Sequence, residues 1–494
     1  MSGFPFTKIL VANRGEIACR VIRAVHKLGL TSVAVFHAVD ANARHVNEAD
    51  EAVELTGDTP VAAHLDARQL IAAAKATGAG AIHPGYGFLS ENADFAHAVE
   101  DAGLIFIGPD AKTISLMGDK VSSRNFAKEH GIPVAPSVLP TEDLGAFARH
   151  VEEIGFPVLI KASAGGGGKG MSIVREPGEL LKAVQIAASE AERYFGDGRI
   201  YAEVYIDRPR HIEVQVLGDG KGNVIHLHER ECSIQRRFQK VIEEAPSSQL
   251  TDKKAAEICD AAVRLAVAAK YRNAGTVEFI LGEDGQFFFL EMNTRLQVEH
   301  PVTEEITGID LVEAQFRLAA GEGLPCRQED LSKSGHAIEC RICAEDADNN
   351  FLPATGRIAY LNIPSAPWLR FEHGLVQGQS VTADFDPMLA KLVIHGATRE
   401  QAIERTLQAL GNLSLLGVTT NVDYLVRLIK NPAFQAGEIH TGFIDEHANQ
   451  LGPTPMDPSE EDHILVAAAL GFREFRQMVF DVPDLHASIG YWRN

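Results

Sequence analysis

The order of apolar and polar positions at the start of the chain predicts a strand, a helix and a second strand. Residues 8–12 and 32–36 form short apolar runs, and residues 16–28 carry apolar side chains at helical spacing. Gly29 follows the predicted helix where a C-terminal cap belongs. This β-α-β order predicts a parallel sheet. The turn at 13–15 lacks the G-x-G-x-x-G pattern of dinucleotide sites, so we do not predict an NAD site there.

Changes in composition divide the chain further. The alternation of apolar runs and helical spacing continues to residues 107–109, residues 323–335 are polar, and residues 453–462 are rich in Pro, Asp and Glu. We predict an N-terminal Rossmann-like domain over 1–117 and a central domain over 118–330, with a mobile lid at about 134–205. A C-terminal mixed α+β domain is predicted over 335–446 and a linker at 453–462, and the family resemblance described below implies that 447–494 is a linker with the truncated start of another domain.

The glycine-rich stretch 161–171 is the strongest local signal for chemistry. Glycines let the backbone approach an anion closely and turn several N–H groups toward it. The stretch differs from a P-loop, because Ser163 stands where that motif needs Gly and Gly170 stands where it needs Ser or Thr. A flexible linker is the alternative, but the preceding strand at 157–160 and the lysines argue against it. We therefore predict that phosphate is bound by Lys161, Gly165, Gly166, Gly167, Gly168, Lys169, Gly170 and Met171.

A second signal is a predicted hairpin with acidic residues on one face. The strands at 276–280 and 287–293 flank residues 282–285, where an Asp-Gly pair predicts a two-residue turn. In that register Glu278 lies directly opposite Glu291. Like charges on neighbouring strands repel, unless a divalent cation lies between them. The pair is therefore a candidate Mg²⁺ site beside ATP phosphates.

The alternation continues beyond this hairpin. Three consecutive Phe residues at 287–289 indicate that the sheet is buried, and a buried row of charges needs partners or ligands. An ordinary solvated strand face is the alternative. The even positions are mostly apolar, whereas the odd positions are Glu291, Asn293, Arg295, Gln297 and Glu299.

Composition excludes some classes of function. The chain has 494 residues, with 46 Lys plus Arg against 67 Asp plus Glu, and a formal charge of −21 argues against broad nucleic-acid binding. No apolar run approaches the roughly 18 residues that a membrane span needs. A core strand follows the N-terminus at once, so we expect no signal or transit peptide. Six cysteines suggest no disulfide framework, which favours a cytoplasmic protein.

The motifs taken together resemble biotin carboxylases, which have an ATP-grasp fold. The matching segments span residues 7–446 and lie at 13–18, 83–92, 117–120, 165–171, 235–246, 291–304, 339–341, 385–388 and 417–421. The resemblance implies an α/β chain with an N-terminal Rossmann-like parallel-sheet domain, an ATP-grasp domain and a C-terminal mixed α+β domain. It also implies ATP-dependent carboxylation of biotin by bicarbonate, through carboxyphosphate.

The resemblance implies a role for each matching residue. For ATP these are Lys120, Lys161, the glycine loop with Met171, Glu203, His211 and Gln235. For Mg²⁺ or Mn²⁺ they are Glu278, Glu291 and Asn293, and for bicarbonate Lys240, Arg295, Gln297 and Val298. Glu299 is the implied general base and Arg341 steadies biotin, so the implied catalytic residues are Glu299, Arg295, Lys240 and Arg341.

Three positions depart from the family pattern. Val204 stands where Lys is usual, Phe238 where His is usual, and Cys343 where Asn is usual. The first two would weaken nucleotide contacts. A non-catalytic regulatory subunit therefore stays open as an alternative, as does another ATP-grasp ligase.

The resemblance also implies partners. The biotin attachment motif Met-Lys-Met is absent from the sequence, so biotin is expected on a separate carrier. Residues 243 and 244 are both Glu, which resembles acyl-CoA carboxylases. We expect a homodimer or larger complex that includes a biotin carboxyl carrier protein or domain and a carboxyltransferase subunit. No nucleic-acid or membrane partner is expected.

Overall fold

The N-terminal part of the chain forms a five-stranded parallel sheet, as the β-α-β pattern predicts. The computed structural model describes residues 3–138, 143–162, 171–196, 198–453 and 462–466. The sheet has the order β3-β2-β1-β4-β5. Its strands are β1 (Lys8–Val11), β2 (Thr31–His37), β3 (Glu51–Leu55), β4 (Ala81–His83) and β5 (Ile105–Phe106). The helices around it are α1 (Gly15–Lys27), α2 (Arg44–Glu48), α3 (Pro60–His64), α4 (Ala67–Thr77) and α5 (Ala93–Asp101).

Apolar runs form these strands because both faces of the sheet are covered. On one face Ile17 and Val21 of α1 pack against Ile9, and on the other Leu70 of α4 packs near Leu10. The predicted helix and both predicted strands are confirmed to within about two residues at each end.

A small separate sheet follows within the predicted lid range. It has the order β6-β9-β7-β8 and its own apolar core, with Val158 and Ala202 at the centre. The predicted phosphate loop lies between β7 and β8, and its residues 163–170 are outside the described residues. Two helices, α6 (Ala111–Gly118) and α7 (Lys120–Glu129), precede this range, and its own elements are β6 (Ser137–Val138), α8 (Leu144–Ile154), β7 (Val158–Ala162), β8 (Met171–Val174), α9 (Leu180–Phe195) and β9 (Ile200–Val204). The mobility of this lid stays a prediction.

The central part of the chain supplies long antiparallel strands. These are β10 (Arg210–Asp219), β11 (Val224–Arg236), β12 (Gln239–Ala245), β13 (Arg272–Leu281) and β14 (Phe287–Asn293). The accompanying helices are α10 (Asp252–Ala268), α11 (His300–Thr307) and α12 (Leu311–Ala319). Helix α10 buries Ile258 and Leu265 against Val214 and Val277 of the sheet.

The C-terminal part extends the same sheet and also forms the two-stranded sheets β16-β17, β18-β21 and β19-β23. An eight-stranded sheet has the order β14-β13-β10-β11-β12-β15-β22-β20, and its strands β12 and β15 pair although the polar segment 323–335 lies between them in sequence. The strands are β15 (His336–Cys343), β16 (Glu345–Asp346), β17 (Leu352–Pro353), β18 (Gly356–Arg357), β19 (Tyr360–Asn362), β20 (Leu369–His373), β21 (Ser380–Val381), β22 (Met388–Gly396) and β23 (Ser414–Leu416). The helices are α13 (Arg399–Asn412), α14 (Val422–Lys430), α15 (Pro432–Gln435) and α16 (Phe443–Glu446).

The predicted hairpin exists, but its turn differs from the prediction. Near the turn Leu281 pairs with Phe287, and Gly282 N donates to Gln286 O at 2.8 Å, so three residues form the loop instead of two. That loop alone would shift the register by one residue and move Glu291 to the other face. A β-bulge after Glu278 absorbs the extra residue, and the predicted pairing of Glu278 with Glu291 is confirmed.

Within the described ranges, no helix is both long and apolar enough to cross a membrane.

A buried carboxylate ties the C-terminal helices to the central sheet. Glu244 of β12 accepts hydrogen bonds from His336 Nε2 at 2.8 Å and from Arg399 Nε at 2.7 Å, the latter at the start of α13. Burial alone would raise the pKa of Glu244, but bonding to His336 and Arg399 lowers it from 4.5 to about 2. The ionised carboxylate therefore stabilises the folded state.

We predict that Glu244→Gln destabilises the fold by about 3–5 kcal/mol at neutral pH, because one partner of a buried ion pair is lost. A carboxylate with a depressed pKa stabilises above its unfolded pKa of 4.5 and loses that effect as the pH falls toward about 2. The difference from wild type should therefore shrink in acid. Urea unfolding over a pH series measures it.

The matched control is Glu257→Gln, which alters the exposed Lys254–Glu257 pair on α10. It should leave stability nearly unchanged. A Glu244→Gln difference no larger than that of the control would contradict the prediction.

Candidate active site

The predicted site residues meet in one cavity of about 580 Å³. The cavity lies between the small sheet β6-β9-β7-β8, called the lid sheet below, and the eight-stranded sheet, called the central sheet. Every one of them that the structure describes lines it, namely Lys120, Lys161, Met171, Glu203, His211, Gln235, Lys240, Glu278, Glu291, Asn293, Arg295, Gln297, Val298, Glu299 and Arg341. The strand β14 ends at Asn293, yet the alternation holds to residue 297: Arg295 and Gln297 line the cavity, and Thr294 and Leu296 are buried and do not line it, whereas Val298 breaks the pattern because it lines the cavity as well.

Three neighbouring strands carry a row of carboxylates. Glu213 on β10 pairs in register with Glu278 on β13, which pairs with Glu291 on β14. Burial raises the pKa of Glu213 to about 7, and burial together with Glu278 raises the pKa of Glu291. Sequence analysis missed Glu213, although its place two residues after His211 on a strand puts both on one face.

Lys240 on β12 reaches into this row. Its ammonium group contacts a carboxylate oxygen of Glu213, lies 3.3 Å from Glu278 Oε1 and donates to Glu299 Oε1 at 2.6 Å. Burial alone would lower the pKa of Lys240, but these carboxylates hold it well above its usual value. Lys240 therefore stays charged and links the predicted metal ligand with the predicted base.

Glu299 is completely buried and held at both oxygens. Oε1 accepts from Lys240, and Oε2 accepts from Arg341 Nη2 at 3.0 Å. Arg341 also donates from Nε to Glu243 Oε1 at 2.6 Å, which fixes its guanidinium plane. Burial would raise the pKa of Glu299, but Lys240, Arg341 and Arg230 hold it well below its usual value. Glu299 is thus an ionised carboxylate that can accept a proton.

Arg295 is oriented by a residue that sequence analysis missed. Glu91 accepts from Arg295 Nε at 2.8 Å and from the backbone N–H of Thr294 at 3.0 Å. Arg295 Nη2 also donates to Asn293 Oδ1 at 3.0 Å. Glu91 lies in the motif at 83–92, which was noted without a role for this side chain. Carboxylate pairing leaves the guanidinium charged and fixed in place.

At the lid end of the cavity, a buried ion pair involves two predicted ATP residues. Glu203 accepts from Arg124 Nη1 at 3.0 Å and contacts the ammonium group of Lys161. Burial would raise the pKa of Glu203, but the charges of Lys161 and Arg124 lower it. The side chain of Glu203 is therefore engaged within the protein.

The predicted ATP residues His211 and Gln235 connect to the carboxylate row. Gln235 Nε2 lies 2.7 Å from His211 Nδ1, and His211 Nε2 lies 2.8 Å from Glu278 Oε2. Burial lowers the pKa of His211, but Glu278 more than offsets this and the pKa is raised.

The donor set fits a hard divalent cation. Glu278 and Glu291 face each other, and Asn293 lies beside them: its Nδ2 donates to Glu278 Oε1 at 2.6 Å, and its amide oxygen accepts from Arg295. Carboxylate and amide oxygens are the ligands that Mg²⁺ and Mn²⁺ prefer. Burial and, after it, the negative charge of Glu278 raise the pKa of Glu291. A cation between the two carboxylates would therefore relieve their repulsion.

The three departures from the family pattern also line the cavity. Phe238 lies at the tip between β11 and β12 with a φ of +64° and is 51% exposed. Cys343 is half-buried, and its backbone N–H donates to Asn421 Oδ1 at 2.8 Å. The cysteines at 340 and 343 are both free thiols.

Comparison with known protein families gives matches along most of the chain. Residues 5–114 match the family described as "Biotin carboxylase, N-terminal domain", and residues 339–446 match "Biotin carboxylase C-terminal domain". Residues 119–327 match "Carbamoyl-phosphate synthase L chain, ATP binding domain".

Full-length relatives agree. The alpha subunit of the mitochondrial methylcrotonoyl-CoA carboxylase of Mus musculus is 47% identical over 471 residues, which cover 95% of this chain and 65% of the relative. The small subunit of 2-oxoglutarate carboxylase from Hydrogenobacter thermophilus is 47% identical over 443 residues, which cover 90% of this chain and 94% of the relative. The chain therefore spans about two thirds of the methylcrotonoyl-CoA carboxylase subunit.

A solved structure also superposes closely. The biotin carboxylase domain of Hydrogenobacter thermophilus 2-oxoglutarate carboxylase, solved with MgADP, ADP and bicarbonate, gives a TM-score of 0.88 at 46% identity. The superposition covers 91% of this chain and 99% of that one.

We predict that Lys240→Met destabilises the protein by about 3–5 kcal/mol, because buried carboxylates lose their common partner. The loss of stability should be greater at about pH 8 than at about pH 6. Without Lys240 the pKa values of the buried carboxylates rise, so more of them are protonated at about pH 6, and protonation relieves their repulsion. Thermal unfolding at the two pH values measures it.

Lys254→Met is the control, since Lys254 pairs with Glu257 on the surface. Equal melting temperatures of wild type and Lys240→Met at both pH values would show that Lys240 does not compensate the carboxylates.

Proposed function

The chain belongs to the biotin carboxylase family of ATP-dependent ligases, and we propose that it carboxylates biotin on a carrier with ATP and bicarbonate as the first half-reaction of an acyl-CoA carboxylase. One observation carries the assignment of residues to this chemistry. Lys240 contacts both Glu278, a proposed metal ligand, and Glu299, the proposed base. A bicarbonate ion drawn to Lys240 therefore arrives between the phosphate end of the cavity and the base.

Binding of bicarbonate requires positive charge near a proton acceptor. Lys240 and Arg295 supply the charge, and the amide of Gln297 and the backbone of Val298 complete the proposed pocket. Gln297 Nε2 donates to Glu278 Oε1 at 2.8 Å, which fixes its orientation toward the carboxylate row. Arginine remains charged at any working pH, so the pocket keeps its affinity for an anion.

Deprotonation of bicarbonate is assigned to Glu299. Its low pKa guarantees the ionised form but makes it a weak base while Lys240 and Arg341 both hold it. When Lys240 turns toward bicarbonate, Glu299 loses part of this stabilisation and its pKa rises toward that of a working base. The oxygen of bicarbonate freed of its proton can then attack the γ-phosphorus of ATP, the bond to the β,γ-bridging oxygen breaks, and carboxyphosphate and ADP are formed.

The nucleotide is assigned to the lid side of the cavity. Lys120, Lys161, His211, Gln235 and the glycine loop are the proposed ATP ligands. Glu278, Glu291 and Asn293 would hold Mg²⁺, which would supply positive charge against the charge that develops on the phosphates.

Biotin is assigned to the side of Arg341. Glu243 and Glu299 anchor this guanidinium in a fixed plane, with a donor close to the base. Charge develops on the ureido oxygen of biotin when its nitrogen loses a proton, and a preorganised guanidinium stabilises such charge. The phosphate released from carboxyphosphate is the proposed proton acceptor.

The assembly in which this happens is also a proposal. The chain spans about two thirds of the methylcrotonoyl-CoA carboxylase subunit that it matches. We therefore expect the biotin carrier and the carboxyltransferase, which would bind the acyl-CoA, on other chains or segments. We also propose a homodimer or larger complex and a cytoplasmic location. The domain bounds 1–117, 118–330, 335–446 and 447–494 are part of the same proposal.

A regulatory subunit with weakened nucleotide binding is the second candidate. Val204 and Phe238 both line the cavity in place of the polar residues that are usual in the family, and this favours it. The complete set of carboxylates, lysines and arginines argues for catalysis, since burying these charges costs stability and they have no other evident use.

The purified chain should cleave ATP only when Mg²⁺ and bicarbonate are both present, and free biotin should accelerate the cleavage. Phosphate release with each component omitted in turn measures this, and labelled bicarbonate detects carboxybiotin.

Glu299→Gln should lower biotin carboxylation by about 10²–10⁴-fold, because an amide keeps the shape but accepts no proton.

Nucleotide binding by Glu299→Gln, measured by calorimetry, is the control and should be retained. A wild-type chain that binds ATP without bicarbonate-dependent cleavage would favour the regulatory subunit. Near-normal carboxylation by the folded variant would remove Glu299 from the role of base.

Phe238→His should tighten ATP binding by about 2–10-fold, because His can donate a hydrogen bond toward the nucleotide that contributes about 0.5–1.5 kcal/mol. His also tolerates a positive φ better than most residues, and the φ here is +64°. Calorimetry of both proteins in one buffer measures the affinities.

Leu352→His is the matched control, because Leu352 is exposed to the same degree, at 52%, and does not line the cavity. Equal or weaker binding by Phe238→His would show that Phe238 costs nothing in nucleotide affinity.

A further inference from the structure

A buried lysine of the C-terminal part contacts the backbone of the proposed bicarbonate pocket. Lys391 on β22 is completely buried, and its Nζ donates to the carbonyl oxygen of Val298 at 2.7 Å. Val298 lies in the short segment between β14 and α11, directly before Glu299. Neither the sequence motifs nor the mechanism above gives Lys391 a role.

The same ammonium group is held from the N-terminal part of the chain. Lys391 Nζ lies 3.4 Å from Glu16 Oε1, and the hydroxyl of Tyr86 donates to that same oxygen. Glu16 is in the first turn of α1, and Tyr86 follows β4. Three distant stretches of sequence therefore meet at one carbonyl group of the pocket.

The neighbours of Val298 in this segment are held by other side chains. Gln297 donates to Glu278 at 2.8 Å, and its carbonyl oxygen lies 2.7 Å from Nδ1 of His300. Glu299 is held by Lys240 and Arg341. The contact from Lys391 fixes the peptide group between these two side chains, and its loss would let that peptide rotate.

We propose that Lys391 is a positioning residue that fixes the Val298 peptide, and through it the pocket side chains Gln297 and Glu299, with Glu16 and Tyr86 holding its ammonium group. The role in bicarbonate use rests on the proposed function, whereas the effect on the segment does not. A small rotation here would misplace the base, and misplacement by about 1 Å can cost about 10²-fold in rate.

Packing alone does not account for a lysine at this position. A fully buried ammonium group is costly unless it is paired and hydrogen-bonded, and an apolar side chain of similar length would fill the space at lower cost. Burial also raises the pKa of Glu16 to about 7, and its Oε2 has no hydrogen-bond partner among the residues that the structure describes. The pair of Lys391 and Glu16 therefore costs stability. A role in positioning the pocket explains why these two residues are present.

The test is Lys391→Met in the full chain, with Lys8→Met as the matched control. Lys8 makes the same two kinds of contact far from the cavity, since its Nζ donates to the Thr77 carbonyl at 2.7 Å and lies 2.5 Å from Glu51. Three quantities are measured for each protein: ATP affinity by calorimetry, kcat and the KM for bicarbonate, and hydrogen exchange of the segment 294–300.

In Lys391→Met we expect faster exchange in the segment 294–300 with no change in the segment 276–281 of β13. We also expect kcat/KM for bicarbonate to fall at least about tenfold, with ATP affinity within about twofold of wild type. Lys8→Met should change none of these. Unchanged exchange at 294–300 in a folded Lys391→Met protein would overturn the proposal, as would faster exchange with unchanged bicarbonate kinetics in an active enzyme.

Failure of the proposed function gives a different pattern. A wild-type chain without bicarbonate-dependent activity would overturn that function, while the exchange comparison would still decide whether Lys391 fixes the segment. If Lys391→Met does not fold, Tyr86→Phe and Glu16→Gln replace it, because each loosens the hold on the ammonium group and keeps the lysine. They should speed exchange at 294–300 in the same way, and unchanged exchange in both would overturn the proposal.

Discussion

The compensation of buried charge is the constraint on which the rest of this site depends. Glu213, Glu278 and Glu299 are buried within reach of one ammonium group, that of Lys240. Isolated ions in a low-dielectric interior are very costly, so each of these carboxylates must stay paired, become protonated or bind a ligand. The result is a network in which a change at any charge alters the pKa of the others.

The strand geometry places these charges at the required spacing. Side chains alternate along a strand, and neighbouring strands align their side chains across the sheet, so one face of β10, β13 and β14 presents the carboxylates in a row. The bulge after Glu278 is essential, because without it the three-residue loop would bury Glu291 on the opposite face. The extension of the sheet by β15 then places Arg341 beside the same row.

Local sequence patterns predicted much of this arrangement. The parallel sheet followed from short apolar runs and helical spacing, and the facing of Glu278 and Glu291 followed from the period of a strand. The turn prediction was wrong because an Asp-Gly pair is compatible with two- and three-residue loops, and the compensating bulge has no clear local signal. The remaining site residues were predicted from the resemblance to biotin carboxylases, and all of those that the structure describes line the one cavity.

Apart from Glu213, which strand period could have identified, the residues missed in the sequence are ones that act on other residues across long sequence separations. Glu91 orients Arg295 from 204 positions away, and Lys391 contacts Val298 from 93 positions away. Such pairs depend on how the sheets pack together, and neither strand period nor turn chemistry contains that information.

This internal pairing has a consequence for how ligands would bind. Lys240, Arg295 and Lys161 all have carboxylate partners inside the protein before any ligand arrives. An anion must therefore compete with these partners, and its binding energy is reduced by the contacts that it replaces. In the proposed mechanism the same exchange would free the carboxylates: Glu299 would become a stronger base when Lys240 turned to bicarbonate, and Glu278 would become a better ligand for a cation. On the proposed function, anion and cation binding would therefore favour each other, because each would remove a charge that the other leaves unpaired.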